Sequence, residues 1–287
     1  MTTERPPLLT LDVLDVLRDA TTRGDVTARV SLDLGRSVED CGVGPDGFVR
    51  RDRSYPWPEP PRERTILHWD GTGFTPVQRW DGGLYKLVAT PWGTPTFEID
   101  GIKMLPTARV SPWDDAAAKV ALVDVRGRAL LDTCGGLGYF AAHALAAGAQ
   151  TVTSFEKSSA VLWLRTLNPW SPQIEEAAHL QLHHADVSDA VRGLPDASFG
   201  AALHDPPRFG IAGELYSLAF YRELFRVLAP GARLFHYTGT PNARTSGRDV
   251  PAEVSRRLAA AGFTVEFALD GVLARKDAVR RPRRSRA

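Results

Sequence analysis

Two rhythms of apolar and polar positions divide the chain. From position 120 onward, short apolar runs alternate with longer stretches of helical periodicity. The runs at 129–133, 151–155, 180–184, 199–204, 233–237, 264–268 and 271–274 read as strands, and the stretches at 139–147, 158–167, 212–228 and 251–261 as helices. In the third helix Tyr216, Phe220, Leu224, Val227 and Leu228 recur at helical spacing as one apolar stripe, and Pro230-Gly231 is expected to stop it sharply. Strands alternating with helices of this length predict a parallel sheet covered on both faces. The runs at 129 and 199 fit strands buried on both sides.

Residues 1–110 follow a different rhythm. After a helix expected over 11–19, positions 28–34, 65–69, 85–89 and 96–100 alternate like half-buried strands. Pro45-Asp46-Gly47, Asp70-Gly71 and Asp81-Gly82-Gly83 are turn chemistry, and four prolines within 54–62 mark a loop or linker. The expected organisation is an N-terminal β-rich domain over 1–110, an α/β domain over 111–276 and a tail over 277–287. Trp57, Trp69, Trp80 and Trp92 are candidates either for stacking on bases or for the core of the first domain.

Composition narrows the class. A chain of 287 residues, 43% hydrophobic and 24% charged, suits one large or two globular domains rather than disorder. Cys41 and Cys134 are its two cysteines, too few for a disulfide scaffold. No apolar run approaches the ~20 residues of a membrane span, and no signal pattern opens the sequence. A soluble, cytoplasmic protein without a membrane partner is expected. The net charge of +1 conceals an asymmetry: positions 275–287 hold seven basic residues and one acid, so the remainder is net acidic. The tail is expected to be disordered, either a frayed end or a sequence-blind tether to phosphate backbones.

Ligands of open α/β sheets bind beyond the carboxyl ends of the strands. The first strand runs into Asp132-Thr133-Cys134-Gly135-Gly136-Leu137-Gly138, where small residues let the backbone turn tightly and approach a ligand. The following helix then points its N-terminal dipole at the same place. The second strand ends at Glu156, 24 residues after Asp132, where an acid can accept hydrogen bonds from a ribose diol and argues against NADP. Asp186-Val187 follows the third strand; Asp186 can accept from an adenine amino group or serve as a helix N-cap. Together these acids and the glycine turn describe an adenosine pocket.

The fourth strand ends in His204-Asp205-Pro206-Pro207-Arg208-Phe209. The two prolines fix the backbone and remove two N–H donors, leaving carbonyls expected to face a substrate amine. Asp205 can orient a donor or take a proton. His204 and His236 are expected above the pocket as candidate proton shuttles, with a structural role equally open. The seven histidines show no metal-binding spacing, so no metal is indicated.

The order Asp132-x-Cys134-x-Gly136-x-Gly138, Glu156, Asp186, Asp205-Pro206-Pro207 and 226–231 (Arg-Val-Leu-Ala-Pro-Gly) resembles the class I S-adenosylmethionine-dependent methyltransferases over roughly residues 115–276. More narrowly, the glycine turn, Asn168-Pro169-Trp170, the 204–209 and 235–239 segments and the 96–104 segment look like a group of predicted methyltransferases best known from archaea. The resemblance implies a Rossmann-like, doubly wound, mostly parallel seven-stranded sheet and S-adenosyl-L-methionine as cofactor. Asp132, Cys134, Gly136 and Gly138 would cradle its methionine part, Glu156 its ribose and Asp186 its adenine, with Asp205-Pro206-Pro207 facing the acceptor. Where base-amine methyltransferases carry an aromatic residue after a similar Asp-Pro-Pro, this chain has Arg208, with Phe209 one later. Neither cysteine is placed as the thiolate of a cytosine-C5 mechanism.

Two other readings share parts of this pattern. Aminopropyltransferases of the spermidine synthase type also place a β-rich domain before such a sheet, and resemble this chain at Ile99-Asp100-Gly101 and over 205–221. Their catalytic aspartate corresponds to Ala202 here, and Asp114-Asp115 and Lys119 occupy the place of their Tyr-His-Glu segment. An NAD-dependent oxidoreductase would share the glycine turn and the ribose acid, but no Tyr-x-x-x-Lys pair accompanies them. The acceptor expected is an amine or hydroxyl, on RNA or on a small molecule.

Overall fold

The computed structural model describes residues 5–172, 178–210, 212–239 and 249–278, so the basic tail lies outside the described residues from position 279. The chain divides into two compact units, Met1–Asp115 with Ser159–Ser171, and Ala116–Ser158 with Pro172–Ala287.

In the first unit, α1 (Leu11–Arg23) begins at Thr10, whose hydroxyl accepts the Val13 N–H, and ends at Gly24, left-handed at φ 82°. Three antiparallel sheets follow. One joins Leu8–Leu9, Leu67–Trp69 and Phe74–Pro76; another Thr27–Val30, Glu39–Gly44, Gly47–Arg50 and Arg53–Pro56. The third joins Gln78–Trp80, Leu84–Val88, Thr96–Ile99 and Ile102–Lys103. The turn at Pro45-Asp46 closes a hairpin in which Gly44 faces Gly47. The stretch read as a linker begins inside a strand, because Ser54 and Tyr55 pair with Val49 and Phe48. Phe48 stacks on Tyr55 at 5.2 Å, and Trp69 meets Tyr55 edge-on at 5.3 Å. Trp57 and Trp69 pack on this core, whereas Trp80 is 73% and Trp92 48% exposed.

Next come α2 (Pro112–Ala121), β1 (Ala129–Asp132), α3 (Tyr139–Ala146) and β2 (Thr151–Glu156). They are followed by α4 (Ser159–Leu167), β3 (Leu180–His184), α5 (Val187–Ala190) and β4 (Phe199–His204). Last come α6 (Leu218–Val227), β5 (Leu228–Tyr237), α7 (Val250–Ala261), β6 (Thr264–Ala268) and β7 (Gly271–Arg275).

The strands form one sheet in the order β3-β2-β1-β4-β5-β7-β6. The β3-β2-β1-β4-β5 pairings are parallel, while β7 is antiparallel to both β5 and β6. The sheet is therefore mixed: the predicted parallel pattern holds from β3 to β5 and ends at β7. Only two residues, Leu269 and Asp270, join β6 to β7, and so short a connection makes an antiparallel hairpin. Leu130, Leu131, Ala201, Ala202 and Leu203 are fully buried, as strands covered on both faces require. The apolar stripe of Tyr216, Phe220, Leu224, Val227 and Leu228 lies in the core of this unit.

Two expected boundaries move. The helix expected over 212–228 is interrupted at Ser217, whose hydroxyl accepts the Phe220 N–H at 3.1 Å and starts α6, after a 3-10 turn over Gly213–Tyr216. Pro230-Gly231 does not break the chain before β5 but lies within it. Leu228 already pairs with Phe199, and a register shift of three residues between that pair and Ala201–Arg233 takes in Pro230 and Gly231, with Gly231 at φ 85°.

α4 belongs to the first unit. Ser159 donates to Asp81 at 2.6 Å, and Trp163 meets His68 at 6.1 Å and the Arg79 guanidinium at 5.7 Å. Asn168-Pro169-Trp170 is a staple in the same unit. Trp170 donates to the Leu34 carbonyl at 3.0 Å, and Arg36 donates to the Pro169 carbonyl at 2.6 Å.

Candidate functional site

Because β1 to β5 run parallel, the loops after β1, β2, β3 and β4 leave one edge of the sheet, and the strand order reverses between β1 and β4. At the end of β1, Asp132 is 1% exposed, and Ser154 of β2 donates to its Oδ2 at 2.8 Å. The Gly135 N–H donates to the Phe155 carbonyl at 2.7 Å. Gly136 (φ 50°) and Gly138 (φ 84°) are left-handed, a conformation that any Cβ would strain, and Gly138 starts α3 with no side-chain cap. Glu156 ties the turn down: its two oxygens accept the Gly136 N–H at 3.0 Å and the Ser158 N–H at 2.8 Å.

Electrostatics shows what the turn faces. The Cys134 thiol is pushed well above its ordinary pKa, first by burial and then by the charges of Glu156, Asp132 and Asp205, with the Thr133 hydroxyl opposing. Acids from β1, β2 and the loop after β4 thus raise a negative potential around one side chain. A thiol in that field is a poor nucleophile. Asp186 caps α5 by accepting the Ser188 N–H at 2.9 Å and lies 3.5 Å from the Lys157 ammonium. Burial raises the pKa of its carboxyl, but the Ser188 hydrogen bonds and Lys157 outweigh this and hold it below the usual range. Val187 is 3% exposed and belongs to the core of the unit.

The other half of the edge centres on Asp205. Lys119 of α2, with its side chain fully buried, places its ammonium 3.5 Å from Asp205 Oδ2 and 4.0 Å from the centre of the Tyr237 ring. The sequence reading assigns Lys119 no role and does not detect α2. A local signal for that helix exists: Ser111 precedes Pro112 at the first helical position, and its hydroxyl accepts the Asp114 N–H at 2.9 Å. The contact of Lys119 with Asp205 spans 86 positions and has no local signature.

Pro206 is buried, and the Pro207 carbonyl, expected to face a substrate, accepts the Tyr216 hydroxyl at 3.0 Å. Arg208 is partly buried, and its guanidinium makes no hydrogen bond or ion pair among the described residues. Phe209 packs edge-on against Tyr216 at 5.4 Å with Arg257 6.0 Å from its ring centre.

His204 and His236 end neighbouring strands, but both are fully buried, their rings 4.4 Å apart. His204 Nε2 must donate to the Leu215 carbonyl at 3.0 Å, so Nδ1 accepts the Thr133 hydroxyl at 2.6 Å. In His236 the roles are exchanged: Nδ1 donates to the Tyr237 carbonyl, and Nε2 accepts the Tyr221 hydroxyl, each at 2.8 Å. Burial lowers the pKa of His204 to about 4 and that of His236 well below its ordinary value, so both are neutral. With all four ring nitrogens engaged, the expected proton-shuttle role finds no open nitrogen. Among the described residues no group of three or more His, Cys, Asp or Glu can hold a metal ion, and no helix is long and apolar enough to cross a membrane.

No family model matches the chain. An uncharacterized protein of Methanocaldococcus jannaschii is 44% identical over 201 residues, which span 68% of this chain and 68% of that protein. Among solved structures, a spermidine synthase from Thermotoga maritima gives a TM-score of 0.53 at 15% identity, over 69% of this chain and 72% of its own. An S-adenosylmethionine-dependent methyltransferase from Mesorhizobium loti gives 0.41 at 19% identity, over 57% of this chain and 99% of its own. The likeness to the synthase is one of fold, a Rossmann-like sheet.

Proposed function

The chain belongs to the same family as the uncharacterized protein of Methanocaldococcus jannaschii, and we propose that it is an S-adenosylmethionine-dependent methyltransferase acting on an amine or hydroxyl. The observation that carries this reading is the glycine turn after β1: Gly136 and Gly138 are left-handed at the start of α3, and Glu156 at the end of β2 accepts the Gly136 and Ser158 N–H groups. Carboxylates at the ends of β1 and β2, beside a turn that admits close backbone approach, fit a nucleoside carrying a sulfonium. Asp132, Cys134, Gly135, Gly136 and Gly138 would hold the methionine part, Glu156 the ribose diol, and Asp186 with Val187 the adenine. When bound, the cofactor supplies an electrophilic methyl group on a good leaving group. The chain supplies position: Asp205, steadied by Lys119, receives the acceptor's N–H or O–H and aligns its lone pair. The rigid Pro206-Pro207 turn keeps that carboxylate in place. The proton released as the methyl carbon bonds to the acceptor passes to Asp205 or to water, since both His204 nitrogens are engaged.

Aminopropyl transfer is the weaker alternative, because the position three residues before Asp205 is Ala202, a fully buried strand residue without an acid. Calorimetric titration with S-adenosylmethionine, its decarboxylated form and NAD separates the readings. Preference for S-adenosylmethionine is expected, and absence of heat with it overturns the proposal. Asp205→Ala is expected to cut methyl incorporation into cell-extract acceptors while leaving cofactor affinity nearly unchanged. An equal loss of both would move Asp205 into the cofactor pocket.

A further inference from the structure

We propose that Arg208 determines acceptor specificity by binding an oxyanion, a phosphate or carboxylate carried by the acceptor; this rests on the methyltransferase reading. Arg208 lies three positions after Asp205 in the loop that follows β4, partly withdrawn from water, and its guanidinium has no partner among the described residues. Five N–H donors in a planar fork are costly to desolvate unpaired and match an oxyanion two at a time.

The residues on either side hold it in place. Pro206 and Pro207 restrict the backbone, the Pro207 carbonyl is anchored by the Tyr216 hydroxyl, and Phe209 packs against Tyr216 and Arg257. A backbone so fixed sets the point from which the Arg208 side chain reaches. The neighbouring cations are already engaged. Arg257 pairs with Glu253 at 3.0 Å and donates to the Tyr216 carbonyl at 3.2 Å, and Lys119 pairs with Asp205 at 3.5 Å. With Asp205 balanced by Lys119, the charge of Arg208 decides the sign of the acceptor side. A polycation is disfavoured there and an anionic acceptor attracted.

The full-length protein is incubated with radiolabelled S-adenosylmethionine and an extract of a strain lacking the gene. Protein is removed, and the labelled product is run on an anion exchanger at mildly alkaline pH, with and without prior nuclease digestion. Retention of the label is expected; nuclease sensitivity then identifies a polynucleotide phosphate, and resistance a free anionic metabolite. Arg208→Gln is expected to lower incorporation roughly tenfold or more, the worth of a charged hydrogen bond, with Arg208→Lys retaining part and both binding S-adenosylmethionine like the parent. Label in a neutral, cationic or protein fraction, label in no fraction, or full incorporation by Arg208→Gln overturns the inference. Failure of the parent to bind S-adenosylmethionine overturns the methyltransferase reading itself, a separate outcome.

Discussion

On the β1–β2 half of the sheet edge two carboxylates are held by donors: Glu156 by backbone N–H groups, and Asp132 by a serine hydroxyl. On the β4–β5 half, Asp205 shares its charge with a buried lysine, and two histidines sit beneath it, neutral and saturated with hydrogen bonds. One half holds its carboxylates with N–H and O–H donors; the other sets its carboxylate beside an ammonium and keeps its histidines neutral. A cationic group suits the first region and a neutral or anionic one the second. The topology is the same at each strand end, so the difference comes from side chains that the fold brings together across long sequence separations.

The sharpest way to break this contrast is acid, because the suppressed histidines resist protonation only while the protein is folded. An unfolded histidine takes up a proton below about pH 6.5, whereas folded His204 does so only near pH 4. Between those values the unfolded chain binds more protons, so stability falls as pH falls, by about 1.4 kcal/mol per pH unit for this group. His204 alone accounts for about 3 kcal/mol over the window, on the same linkage, and His236 adds in the same direction. Urea unfolding at about pH 7 and about pH 5 should show the loss. A midpoint indifferent to pH in that range would mean that the histidines are not held neutral.

The next effect in size concerns the ion pair. Lys119→Met removes the ammonium 3.5 Å from Asp205, at an expected cost of about 2–3 kcal/mol, below the usual figure for enclosed pairs because the Asp205 side chain keeps 16% exposure. Lys119→Met with Asp205→Asn should recover part of that loss. Purely additive losses in a double-mutant cycle by urea unfolding would show that the two side chains do not interact.

These same residues mark how far the sequence could be read. The seven strand positions, the glycine turn and the apolar stripe of α6 are legible because each depends on periodicity or on a few neighbouring residues. Asp186 shows both of its readings at once: it caps α5, as the residues after it suggest, while following β3 at the ligand edge. Pro230-Gly231 misled because a proline and a left-handed glycine mark a bulge as readily as a break, and only the pairing of Leu228 with Phe199 separates the two. The saturation of His204 was invisible for a related reason. Its partners, Thr133 and the Leu215 carbonyl, lie on other segments, 71 and 11 positions away.

The smallest effect sharpens the other half. Glu156→Gln removes one of the three charges that raise the Cys134 pKa, and its single amide oxygen can keep one of the two backbone N–H bonds. The thiol pKa should fall, and alkylation of Cys134 at a fixed pH should quicken a few-fold relative to the parent. Asp205→Asn should act in the same direction. Cys41 supplies an internal reference, since burial first and then Glu39, partly opposed by Arg50, raise its pKa to about 11 inside the first unit. If Cys134 alkylation does not change in either variant while Cys41 also stays constant, the carboxylates do not share a field at the glycine turn. The cofactor pocket would then have to be sought in residues other than these. If Glu156→Gln alone quickens it, Asp205 acts only on the acceptor side, and the boundary between the two halves runs between Cys134 and Asp205.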